Sequence, residues 1–199
     1  MITILDKLFD MKLNLDGLML DMTRSVSELK YWCIPVGALP FADMCVDGVH
    51  YCIVPKEGDK TLENSPVYRI SPMDTVEGTV LWTAKNFQEF ISITVMLKDA
   101  WKLPILVHSF GKDENAFTGY LNDIMLEFRR NSIKERMSIR KEVKMLVKAF
   151  NPIVTPDLYA HIIGSFRNKN NHADIGFTGE FSELMKELSP GHYAWGDRT

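Results

Sequence analysis

Residues 49 to 55, Val-His-Tyr-Cys-Ile-Val-Pro, alternate in the manner of an extended chain: Val49, Tyr51 and Ile53 fall on one side, His50, Cys52 and Val54 on the other. Asp47-Gly48 before this run and Pro55 with Gly58-Asp59 after it are turn signals, so the pattern predicts a strand bounded at both ends. Residues 66–71 and 79–83 predict two shorter strands, rich in β-branched and aromatic side chains and separated by the turn-like stretch 71–78. A small antiparallel meander accounts for all three.

The period then changes. Asn86 followed by Glu89 has the form of a helix N-cap with its capping box, and Phe87, Phe90, Ile91 and Val95 follow at helical spacing. This helix is expected to cover one face of the sheet. Phe117, Tyr120, Leu121, Ile124, Met125 and Phe128 form a second helical stripe, and Ile139, Val143, Leu146, Val147 and Phe150 a third. Thr155-Pro156 reads as a cap and first turn leading to Leu158, Tyr159, Ile162, Ile163 and Phe166. A last short helix is expected through Phe181, Leu184, Met185 and Leu188, stopped by Pro190-Gly191. Residues 103–110 fit a buried strand and a helix equally well. The expected architecture is α+β: a small antiparallel sheet covered by helices in residues 1–100, then a mainly helical 101–199 that either stands apart or packs on the first part as one unit.

Composition adds exclusions. A net charge of -3 offers no general attraction to nucleic acid or an anionic membrane, so any such binding has to come from a local patch. The first thirty residues interleave Asp6, Asp10, Asp16 and Asp21 with short apolar pieces, and no later segment has the continuous apolar run of a membrane helix. This predicts a soluble, cytoplasmic protein with no membrane partner. Cys33, Cys45 and Cys52 are too few and wrongly spaced for a disulfide framework or a structural zinc knot.

Read in order, the central residues carry a further pattern: Ile34-Pro35 and Pro40-Phe41 entering the sheet, Gly48 with Tyr51-Cys52, Val67-Tyr68, then Ala84, Asn86, Phe87, Glu89, Phe90 and Ile91 opening the helix. This order resembles the SMI1/KNR4 (SUKH) superfamily over residues 34 to 92, and the chain reads as a divergent member with a helical C-terminal extension. The resemblance implies an α+β fold and a non-enzymatic role. Many bacterial relatives are immunity proteins that bind and neutralise a toxin, often a nuclease, and fungal relatives are interaction modules. It transfers no binding residue.

Charge suggests where contacts lie. Asp43, Asp47, Glu57 and Asp59 belong to a stretch, residues 41–78, with seven carboxylates against three cations, a complement to the basic cleft of a nuclease. These four are the candidate partner-binding residues. Residues 129–148 instead carry eight cations against two carboxylates, a net of +6, which leaves -9 for the remainder. Read as one basic helix with Arg136, Arg140, Lys141 and Lys144 at its centre, this segment supports the alternative, a nucleic-acid-associated or regulatory interaction protein. It also fits the solvated outer face of an amphipathic helix.

His50 and Cys52, two apart on a strand, share a face and invite a thiol nucleophile with its base, or half of a metal site. A half-buried, aromatic-rich strand with Cys52 as a small hydrophobe is the reading favoured over these, because no third partner stands at motif spacing. His108, His161, His172 and His192 form no ligand spacing. The expectation is therefore a protein-binding module without catalytic residue, metal or cofactor.

Overall fold

A computed structural model describes residues 3–11, 13–22, 31–44 and 46–177. Six strands, β1 (Asn14–Leu15), β2 (Leu20–Asp21), β3 (Leu39–Asp43), β4 (His50–Ile53), β5 (Val67–Ile70) and β6 (Val80–Ala84), form one sheet in sequence order. Each pairs antiparallel with the next. The fold is α+β, and the three predicted strands are β4, β5 and β6. The expected turn between the last two contains a short helix, α2 (Val76–Thr79). Helix α1 (Ile4–Asp10) precedes the sheet; Thr3 accepts from the Asp6 amide and Asp6 reaches back to the Thr3 amide.

Every residue of β4 is buried because both faces of the strand are covered. On one face Tyr51 lies 4.8 Å, ring to ring, from Phe90 of α3 (Phe87–Leu97), and Phe41 of β3 lies 5.4 Å from Phe87 and 5.5 Å from Phe90. Tyr51 Oη donates to the carbonyl of Ala100 at 2.7 Å, so the phenol is satisfied where the chain leaves α3. On the other face Cys52, Tyr68 and Trp82 stand in register across β4, β5 and β6. The chain at 171–173 closes over them. Trp82 Nε1 donates to the Asn171 carbonyl and Tyr68 Oη accepts from the Ala173 amide, while the His172 ring stacks 5.5 Å from Trp82. Gly176 accepts from the Val36 amide, which ties the same strip to the approach to β3.

The helical part follows as α4 (Lys102–Phe110), α5 (Glu114–Arg130), α6 (Ile133–Phe150) and α7 (Leu158–Arg167). The ambiguous 103–110 is thus a helix. It is buried through Leu103, Pro104, Leu106 and Val107, and Pro104 sits in the first turn, where its missing N–H costs nothing. His108 of α4 meets the Trp82 carbonyl at 2.8 Å and covers the outer edge of β6. Three expectations are corrected. Residues 129–148 are not one helix: α5 ends with Arg129-Arg130, and Ser132, with Glu135, caps a new helix. The cap of α7 is Asp157, whose Oδ1 accepts from the Ala160 amide, and not Thr155. Asn86 does cap α3, but Glu89 reaches the Lys85 amide rather than that of Asn86, so the reciprocal half of the capping box is displaced by one residue. The helix expected through Phe181, Leu184, Met185 and Leu188 lies outside the described residues.

Polar ties complete the packing. Glu142 of α6, buried, accepts from the Leu18 amide at 3.0 Å in the 3₁₀ turn between β1 and β2. A Cβ on Gly17 would stand 2.8 Å from that carboxylate, so the close approach requires glycine there. One cluster of buried side chains contains residues from both 1–100 and 101–199. Among the described residues no helix is long and apolar enough to cross a membrane.

Candidate surfaces and buried polar groups

The β3–β4 hairpin turns through Val46, Asp47 and Gly48. The Met44 amide bonds to the Val49 carbonyl and the Val49 amide back to Val46, with Asp47 at φ +48° and Gly48 at φ +73°. An alanine at Gly48 would also put its Cβ 2.7 Å from the Tyr31 ring. Tyr31 in turn stacks 5.6 Å from His50 and holds the chain at 31–34 against the hairpin. Trp32, beside it, is 52% exposed, and Val46 in the turn is 37% exposed.

Antiparallel pairing places the β5–β6 connection at this same end, because His50 opens β4 opposite Ile70, which closes β5 and faces Val80. Met73 in that connection is 77% exposed. Asp74 beside it accepts from Arg69 Nη1 at 2.9 Å, and the Arg69 guanidinium lies 5.3 Å over the Trp101 ring. Asp21 of β2 pairs with Asp43 of β3 at this end as well. The hairpin end of the sheet therefore combines exposed Trp32, Val46 and Met73 with Asp21, Asp43, Asp47 and Asp74.

The four acidic candidates do not gather. Asp43 and Asp47 belong to the hairpin end, whereas Glu57 and Asp59 follow β4 at the opposite end, the strand's four residues spanning roughly 13 Å. Asp59 is further committed to its own loop: Oδ2 accepts from the Asn64 amide and Ser65 Oγ, and Oδ1 from Thr61 Oγ1. Burial alone would push its carboxyl up, but these bonds outweigh it and hold it below the usual range. Of the basic candidates, Arg140, Lys141 and Lys144 are exposed on α6, while Arg136 sits at its flank and donates to the Arg129 carbonyl.

His50 and Cys52 share a face, as expected, but both are fully buried. Burial pushes the Cys52 thiol far up, and the Cys33 thiol up to about 11, opposite to what a nucleophile requires. His50 donates through Nδ1 to the Gly48 carbonyl, and its buried Nε2 has no partner among the described residues. Cys45 and His192 lie outside the described residues. Among those described, no three His, Cys, Asp or Glu side chains gather as a metal site.

The densest polar group was not anticipated. Glu89 of α3, 4% exposed, accepts from Ser165 Oγ at 2.6 Å and His161 Nε2 at 3.0 Å through Oε1, and from the Lys85 amide at 2.7 Å through Oε2. His161 and Ser165, one turn apart on α7, both aim at the carboxylate. The serine proton points to Glu89 and not to the imidazole, so the arrangement lacks the serine-to-histidine relay of an acyl-transfer triad. It is a clamp between α3 and α7. The i, i+4 spacing of His161 and Ser165 was visible as a polar pair on one helix face, but their partner lies 72 residues or more upstream.

No protein-family model, curated protein or solved structure matches the chain.

Proposed function

We propose that the chain is a cytoplasmic, non-enzymatic protein-binding module of SMI1/KNR4 type, an immunity protein that neutralises a nuclease-type toxin by direct contact through the hairpin end of its sheet. The observation carrying this reading is the meeting, at one end of a closely packed sheet, of exposed Trp32, Val46 and Met73 with Asp21, Asp43, Asp47 and Asp74. A partly exposed tryptophan at the same end as exposed aliphatic side chains is the composition of a binding hot spot. Carboxylates around it steer a cationic partner and bias its orientation. The residues that carry the family resemblance lend support in another way: Phe41, Tyr51, Phe87 and Phe90 form the aromatic core that fixes the hairpin. No cofactor enters this mode of action, which works by covering the partner's cleft.

The test is affinity capture by the full chain in its native cell at moderate salt. A single basic protein at near-equal stoichiometry is expected, retained by wild type and by a Glu57→Lys variant. It should be lost with Trp32→Ala or with Asp43→Lys plus Asp47→Lys. Capture that ignores the hairpin-end substitutions would overturn the assignment of the surface.

A further inference from the structure

Helix α6 turns Ile139, Glu142 and Leu146 inward. At 3.6 residues per turn its opposite side carries Lys134, Met137, Lys141, Lys144 and Lys148, with Ile133 and Arg140 along the margin, and all seven are exposed. The five cations extend over about 21 Å of helix axis. No carboxylate shares the face: Glu135 bonds back to the Ser132 cap, and Glu142 points inward to the Leu18 amide. Among the described residues none of the five cations is in an ion pair. Within a chain of net charge -3, this is a local positive strip that its own acids do not neutralise.

The aliphatic residues decide which anion the strip suits. Ile133 is 69% and Met137 64% exposed, one turn apart at the N-terminal end of the cations. A nucleic-acid backbone rewards lysines but offers nothing to isoleucine or methionine, and this face has no aromatic ring for base stacking. The headgroup layer of a bilayer offers both phosphates for the cations and an acyl boundary for the aliphatic side chains. We infer that the outward face of α6 is a docking surface for an anionic lipid bilayer, with its lysines at the headgroups and Ile133 and Met137 entering the interface. Such a helix lies on the membrane and does not span it. The inference uses none of the hairpin-end residues and is independent of the toxin-neutralising reading.

Sedimentation of the full chain with phosphatidylcholine vesicles, with and without phosphatidylserine, provides the test, alongside a titration with duplex DNA. Binding is expected only with phosphatidylserine and is expected to disappear at high salt. Each cation removed should weaken it about fivefold, so Lys141→Ala plus Lys144→Ala should weaken it about twenty-fivefold. Ile133→Ser plus Met137→Ser should lower vesicle binding several-fold. All four substitutions are at exposed positions, and circular dichroism verifies that the fold is kept. Three results would overturn the inference: equal binding to both vesicle types, no vesicle binding, or DNA binding tighter than vesicle binding with Ile133 and Met137 dispensable.

Discussion

Replacing Glu89 by alanine tests the tie between the sheet-covering helix and the helical half. The carboxylate is 4% exposed and holds Ser165 Oγ at 2.6 Å, the Lys85 amide at 2.7 Å and His161 Nε2 at 3.0 Å. Hydrogen bonds to a charged group contribute about 1.5–3 kcal/mol each, and a buried donor left without a partner costs about 1–3 kcal/mol. His161 is partly exposed and recovers water, which leaves Ser165 and the Lys85 amide as the main losses. The expected destabilisation is about 3–5 kcal/mol, a large share of the roughly 5–15 kcal/mol that holds a domain folded. In urea, with a slope of about 2 kcal/mol/M, the midpoint should fall by about 2 M at unchanged slope. Glu89→Gln keeps the shape and one acceptor and should lose about half as much. A double-mutant cycle with Ser165→Ala should give a coupling of about 1 kcal/mol or more. A midpoint for Glu89→Ala within experimental error of wild type, or strict additivity with Ser165→Ala, would show that the clamp is not a stabilising contact.

Three further outcomes follow from the same geometry. Gly48→Ala forces an L-residue to φ +73° against the Tyr31 ring and should cost about 1–2 kcal/mol from the backbone alone; a wild-type melting temperature would contradict the turn geometry. Burial holds the His50 imidazole below its ordinary 6.5, against the raising influence of the Gly48 carbonyl and Asp43. The unfolded chain thus binds the proton more tightly, so stability is complete above pH 6.5 and declines as pH falls below it, levelling off under the folded value. His50→Phe keeps a ring beside Tyr31 and should flatten part of that acid limb; His172, which burial shifts the same way, and at lower pH Asp59, whose carboxyl is held low, also contribute to it. An unaltered slope would show that His50 does not titrate as described. Once a partner is in hand, Asp43→Lys plus Asp47→Lys should slow association at low salt, while Glu57→Lys, at the far end of β4, should not; equal effects would deny the surface its location.

The central strands were legible because alternation, β-branching and flanking turn residues agree over 49–55, 66–71 and 79–83. Strands β1 and β2, two residues each, are too short to show a period and exist through pairing alone. β3 was obscured by Pro40, which argues against a strand; an irregularity in register between Pro40 and Ala42 accommodates it. Segment 103–110 was ambiguous because a helix buried on several sides loses its amphipathic stripe. The candidate surfaces were harder to read for a different reason. Glu57 and Asp59 looked like neighbours of Asp43 and Asp47 because sequence distance is short, yet one strand of length separates them. Trp32 and Met73, which give the hairpin end its apolar character, come from two loops that only the strand order brings to one side.

The central claim is that binding at the hairpin end silences a toxin. It is tested most directly by titrating the captured partner's nuclease activity with purified chain. The account predicts that activity falls in proportion to added chain and vanishes near one equivalent. It also predicts that Trp32→Ala requires a large excess to reach the same point. A partner that remains fully active in a saturated complex would contradict it.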